Sequence, residues 1–338
     1  MRILAFSRRA GRIILAGIVA AAIVSLLLCA YSITPVHEDN PNGSTDYVWP
    51  SNAVWVKMTE GTSWGRFDAN GYNNSEVIES PDILVVGSSH VEAINVLQDQ
   101  NMAYLLGEKL EDKYRIYNIG ISDHPLMKTC QYLERDVQLY GENLKIIVIE
   151  APSVTITQNN VEQLLNGTVE RSESHSTGLI AILQKIPFCR LTYQQIAGGL
   201  LDLFMPSKTE PEEKKEEVVD ESVYSEFFSY LAQVEEQSNV QLILFYHPTE
   251  TLMEDGSIRF PNGRDLEFFR ENAEKYGINF IDMTSAFEDI YYTDHHVPHG
   301  FANGRLGAGH LNKYGHEAIA RCLYDEIAAM EEAGLLCK

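Results

Sequence analysis

Basic residues are scarce in this chain: 26 Lys and Arg stand against 48 Asp and Glu, a net charge of −22 over 338 residues. A polyanion repels a polyanion and no basic stripe interrupts the pattern, so nucleic acid is excluded as a partner and close electrostatic docking on an anionic membrane surface is disfavoured. Cysteine is also sparse, five residues with no C-x-x-C spacing, which argues against a cysteine-based zinc site. Cys29 lies in an apolar run, and Cys130, Cys189, Cys322 and Cys337 follow without a spacing that assigns a disulfide. Asn42, Asn73 and Asn166 begin Asn-x-Ser/Thr sequences, which matter only in a eukaryotic secretory pathway.

One stretch lacks charge altogether. Residues 13–30 are apolar over about the length that spans a bilayer. Arg2, Arg8, Arg9 and Arg12 precede the run, while Glu38 and Asp39 follow it. That asymmetry predicts a cytoplasmic tail over 1–12, a transmembrane anchor over 13–33 and an extracytoplasmic remainder, so the chain meets the membrane through this helix alone. Small residues at Ala30 and Ser32 would also suit cleavage of a signal peptide, with the same compartment for the domain, but the length of the run favours an uncleaved anchor. Residues 34–80, rich in Asn, Gly, Ser and Pro with Trp49, Trp55, Trp64 and Tyr72 among them, read as a juxtamembrane linker that becomes an edge element packed on the main domain.

From residue 81 short apolar runs alternate with helical patterns. Runs at 82–87, 114–119, 144–150, 240–246 and 278–282 read as strands buried on both faces. Met102, Leu105, Leu106 and Leu110 recur at helical spacing, as do Ile319, Cys322, Leu323, Ile327 and Met330. Such alternation predicts an α/β fold, a central parallel sheet between two helical layers, with a site at the carboxyl ends of the strands where Ser89, Gly120, Glu150 and His247 fall. Residues 154–222 read as an insertion. Its Lys/Glu-rich run at 207–221 has no apolar face and reads as a solvated loop, or alternatively as a lid.

Two segments carry chemistry. Gly87-Ser88-Ser89-His90 ends a strand in a small-residue turn that can present a hydroxyl, and Gly309-His310-Leu311-Asn312 delivers a histidine just before a helix. A serine on one turn and an imidazole returned by a distant loop are the minimum equipment for a nucleophile and its general base. Together with Tyr117-Asn118-Ile119-Gly120-Ile121-Ser122, these segments resemble the SGNH/GDSL hydrolase superfamily, particularly its membrane-anchored extracytoplasmic members associated with polysaccharide O-acylation. The resemblance covers residues 81–329 in segments and implies the three-layer, flavodoxin-like SGNH fold over 81–335. It implies Ser89 as nucleophile, His310 as base and Gly120 N–H as an oxyanion donor beside that of Ser89, with no cofactor. Asn118 and His90 are further binding candidates.

Three positions depart from that pattern. Ser88 replaces an aspartate, Glu150 replaces an asparagine that would donate to the oxyanion, and Gly307 stands where an acid usually orients the histidine. An ionised Glu150 beside a developing oxyanion would raise the barrier. Asp294 is the first candidate for the missing acid, with Glu150 and Asp282 behind it and a backbone carbonyl as a further option. His295, His296 and His299 lie close to Asp294 in sequence, but spacing in a Pro/Gly loop is not ligand geometry, so no metal is expected there. Asn312 and His316 are expected to start the last helix, and His247 to line the pocket.

The resulting expectation is a serine-dependent esterase or transferase for O-acyl groups, acetyl in the first instance, on a cell-envelope or exported glycan. Two alternatives stand beside it: a lipid or small-ester hydrolase of the same fold, and an inactive anchored scaffold assisting a membrane-bound acyltransferase. The departures at Ser88, Glu150 and Gly307 motivate the second of these.

Overall fold

Five apolar runs pair into one sheet in the computed structural model, which describes residues 2–31, 35–58, 60–169 and 220–336. Its strands are Ile83–Val86 (β1), Ile116–Asn118 (β2), Ile146–Ala151 (β3), Gln241–Tyr246 (β4) and Asn279–Asp282 (β5). The order is β2-β1-β3-β4-β5 and every neighbouring pair is parallel. Each expected strand is therefore present, with ends shifted by a residue or two.

Alternate side chains divide the core in two. Ile83, Val85, Ile146, Val148, Ile243 and Phe245 face one helical layer, where Met102–Lys109, Thr284–Tyr292 and Lys313–Glu332 contribute Leu106, Phe287, Ile319, Leu323 and Ile327. Leu84, Val86, Ile147, Ile149, Leu242 and Leu244 face the other, where Cys130, Leu133, Phe227, Phe228 and Phe269 are buried. Burying each such side chain contributes about 1.5–3 kcal/mol, which holds β1 and β3 as the sheet's centre. Cys130 and Cys322 are free thiols. The sheet order reverses between β1 and β3, and the crevice at their carboxyl ends is where ligands bind in such sheets.

Residues 37–80 pack on the main domain. They add no strand to the central sheet, but form two antiparallel ladders, Glu38–Asp39 with Tyr47–Val48 and Val54–Lys57 with Ser63–Arg66. Tyr47, Trp49, Trp55 and Phe67 pack together with Ile94 and Ile121, residues that follow β1 and β2. Trp49 stacks on Phe67 with ring centroids 5.0 Å apart. The reason is aromatic burial: the rings find their apolar partners on the loops at the carboxyl end of the sheet, so the segment caps that end instead of extending an edge. It belongs to the same compact unit as the sheet.

Of the expected insertion, Gln158–Leu165 forms a helix started by a Thr157 capping box and anchored by buried Val161 and Leu164. Residues 170–219, including most of the Lys/Glu-rich run at 207–221, lie outside the described residues. The helix Arg2–Tyr31 belongs to a separate unit and contains Ala10–Leu27, long and apolar enough to cross a membrane.

Candidate active site

The Ser88–Ser89 turn is shaped by close packing at the end of β1. A Cβ on Gly87 would lie 2.4 Å from Glu150 Oε2, so a side chain there would push β3 away. Ser88 caps a single helical turn, Ser89–Glu92, and Ser89 starts it. Ser88 donates its N–H to Glu150 Oε2 at 2.5 Å and its hydroxyl to Oε1 at 2.9 Å. These two bonds fix the turn and leave Ser89 facing the opposite loop.

That loop carries His310 and is tied down on several sides. Asn312 accepts the N–H groups of Tyr314 and Gly315 as the N-cap of Lys313–Glu332. Its amide donates to the carbonyls of Val297 and Gly300, and Gly300 N–H donates to the His310 carbonyl. Leu311 N–H donates to His90 Nδ1 at 3.2 Å, linking the loop to the Ser89 turn. His310 Nε2 then lies 3.0 Å from Ser89 Oγ.

The residue that completes the set was not foreseen. Glu60 Oε1 lies 2.8 Å from His310 Nδ1 and accepts the His310 backbone N–H at 2.8 Å as well. It sits at the tip of the Val54–Lys57/Ser63–Arg66 hairpin with φ +52°, followed by Gly61 at φ +105°. Asn303 grips this tip through Gly61 N–H, Gly61 O and Met58 O, and Asn95 donates to Glu60 O at 2.7 Å. A Cβ on Gly309, at φ +88°, would fall 2.2 Å from Glu60 Oε1, so glycine is what lets the carboxylate reach the ring. The one advance signal was local: an Glu-Gly pair between two alternating runs marks a hairpin tip.

Glu60 is held as a carboxylate. Burial pushes its carboxyl up, but the two hydrogen bonds from His310 and the charges of His310 and Lys57 outweigh it, leaving it below the usual range. A carboxylate accepting at Nδ1 places the ring proton there, so Nε2 presents its lone pair to the Ser89 hydroxyl. With side chains 27% and 32% exposed, His310 and Glu60 are open to an incoming molecule.

Several expected roles move. Asp294 is exposed and remote from the ring, beside Lys109 and Arg321 on the outer face of the last helix. Asp282 is engaged by Thr284 and Arg270. Gly120 N–H donates to Asn118 Oδ1 at 2.8 Å and Asn118 Nδ2 to Val91 O at 2.7 Å, so both groups brace the turn from behind instead of facing a substrate oxygen. Glu150 points inward, away from where an oxyanion would form, and burial pushes its carboxyl up. Gly307 needs no acid, because Glu60 approaches from the other side. His90 packs between the rings of His247 and His310, at 4.5 and 5.3 Å, and burial holds its basicity well below normal.

No family model matches the chain, and no curated protein does. Solved structures to which it is similar include an acetyl xylan esterase, 14% identical, covering 72% of this chain and 99% of that one, with a TM-score of 0.41. A catalytic mutant of an acetylxylan esterase from Geobacillus stearothermophilus is 15% identical over 74% of this chain and 95% of that one, TM-score 0.40. An alpha/beta hydrolase enzyme from the metagenome of Lake Arreo, Spain, is 16% identical over 77% and 98%, TM-score 0.39.

Behind Ser89, His310 and Glu60 lies a buried polar chain. His247 Nε2 is 2.7 Å from Glu150 Oε1, His247 Nδ1 is 3.5 Å from His299 Nε2, and His299 Nδ1 is 2.6 Å from Glu250 Oε2. The loop histidines flanking it in sequence go elsewhere: His295 is exposed and His296 stacks on Tyr314 at 3.6 Å. The tight sequence cluster around Asp294 is thus taken apart by the fold, and His299 alone turns inward.

Proposed function

We propose that this chain is a serine-dependent esterase in which Ser89 is the nucleophile, His310 the general base and Glu60 the group that orients the imidazole. The observation that carries the reading is the continuous line from Ser89 Oγ through His310, at 3.0 Å, to Glu60, at 2.8 Å. As Ser89 Oγ attacks an acyl carbonyl, its proton passes to His310 Nε2, and Glu60 stabilises the imidazolium. The ester bond breaks as His310 returns the proton to the leaving alkoxide. Water, or an acceptor hydroxyl, then gives its proton to His310 as it attacks the acyl-enzyme carbonyl, and His310 returns that proton to Ser89 Oγ as the bond from Oγ to the acyl group breaks. The Ser89 N–H, first in its turn and without an intrahelical partner, is the donor for the developing oxyanion.

The substrate in this reading is an O-acylated glycan, with acetyl the acyl group. A cavity of about 410 Å³ beside the His310 loop and the Glu60 hairpin favours it. Its lining mixes Phe301 and the His296/Tyr314 stack with Thr62, Asn95 and Gln100, faces and hydrogen-bonding groups suited to a sugar ring. The amino-terminal arginines and the apolar helix favour an anchored protein with this site outside the cytoplasm.

The test is labelling of the full chain with a fluorophosphonate, comparing wild type with Ser89→Ala and His310→Ala. Label is expected in wild type alone, and an unlabelled but folded wild type would sink the esterase reading. Acetate release from acetylated oligosaccharides, set against nitrophenyl esters of rising chain length, then separates the glycan reading from a lipid esterase. Acetyl recovered on an added sugar acceptor instead of as free acetate would identify a transferase.

A further inference from the structure

The buried chain behind the triad has an electrostatic gap. Glu150 and Glu250 have fully buried side chains, and among the described residues the ion pairs of both are with His247 and His299 alone. Two buried carboxylates without a cation are costly. Where each carboxylate accepts from the near ring nitrogen of its histidine, the ring proton is on that side. The other two nitrogens, His247 Nδ1 and His299 Nε2, then face each other with lone pairs at 3.5 Å. In that tautomer the two lone pairs can share one cation, whereas a proton on His247 Nδ1 would make the same contact a hydrogen bond.

We propose that His247 Nδ1 and His299 Nε2 bind a divalent transition-metal ion, with zinc the first candidate and His90 the third ligand. Two zinc–nitrogen bonds at the tetrahedral angle put the ligand atoms about 3.3 Å apart, close to the separation here. A ligand nitrogen of His90 lies within 4.8 Å of those of His247 and His299. Carboxylates behind the metal-binding imidazoles, here Glu150 and Glu250, are the arrangement that fixes tautomer and ring direction in metal sites. The ion's charge would match the two carboxylates. Coordination by His90 through Nε2 needs a proton on Nδ1 and gives up the bond from Leu311 N–H, so loading bears on the loop that carries His310. Since Glu150 also holds both Ser88 groups, the ion would brace the nucleophile turn without touching the reacting atoms.

The experiment measures metal content of the full chain purified in detergent without a histidine tag, before and after dialysis against chelator and readdition of zinc. About one equivalent is expected in wild type, with a raised Tm on loading, and visible bands of tetrahedral cobalt when cobalt replaces zinc. His247→Asn and His299→Asn are expected to lose the ion, whereas His295→Asn and His296→Asn keep it. Should the first two variants fail to fold, Glu250→Gln serves, with zinc affinity expected to fall by roughly 10- to 100-fold. A wild type that takes up no metal from excess zinc overturns the proposal, and so does a Glu250→Gln variant with unchanged affinity and cobalt spectrum.

Discussion

At the residue scale, the decisive contact is the carboxylate on the His310 ring. Glu60→Gln leaves the shape but removes the charge and permits the wrong ring tautomer, so kcat is expected to fall by roughly 10³- to 10⁴-fold with the Tm little changed. Asp294→Asn, on the outer face, is expected to leave steady-state kinetics intact; a large loss there would return the orienting role to the residue the sequence first suggested. Gly309→Ala tests the approach itself. Its added Cβ would meet Glu60 Oε1 at 2.2 Å, at a φ of +88° that costs an alanine about 1–2 kcal/mol. Activity is expected to fall further than that destabilisation accounts for, as read by kcat on the fraction that circular dichroism shows folded.

At the element scale, the hairpin Val54–Lys57/Ser63–Arg66 carries the proposed orienting carboxylate and is held by side chains from afar. Asn303 makes three hydrogen bonds to its tip. Asn303→Ala should cost about 1–3 kcal/mol and lower kcat, because Glu60 then samples positions away from His310. Recovery of activity at low temperature, without recovery in Asn303→Ala of wild-type denaturant midpoints, would fit a loosened tip. Unaltered kcat would show that Asn95 and the backbone suffice. Strand and helix were readable here because burial on two faces writes a continuous apolar run. The hairpin was harder to place, since Trp49, Trp55 and Phe67 follow no long period and their partners lie on other loops.

At the scale of the whole molecule, the segment from His37 onward belongs to the same compact unit as the sheet. A chain beginning at His37 is expected to label with a fluorophosphonate, whereas one beginning at Pro81 lacks Glu60, bares the Ile94 and Ile121 surfaces and is expected to be insoluble or inactive in gel filtration and labelling. Acid stability is a second whole-molecule property. Burial, then the neighbouring His247, His299 and His310, pushes the basicity of His316 down from 6.5 to about 3. The unfolded chain takes up that proton below about pH 6.5 and the folded chain does not until about pH 3, so the contribution of this group to stability declines as pH falls between them. Replacing it in His316→Asn should therefore reduce the stability difference between pH 7 and pH 5 by about 2 kcal/mol. Parallel pH dependences for the two proteins, from urea midpoints, would show the ring to be protonated in the fold.

The sequence by itself determined the strands, the order of strand and helix, and the pair Ser89 and His310, because hydrophobic period and turn chemistry are local and each of those residues sits at a strand end or a helix start. It did not determine the acid. Glu60 and His310 are 250 residues apart, and one of 48 acidic residues becomes the partner only once an aromatic cluster seats a hairpin over the sheet's carboxyl end. The same holds for His247 and His299, whose facing nitrogens depend on a strand end and a loop meeting in the interior. Contacts of that kind are fixed by packing among distant segments, which is a property of the tertiary structure alone.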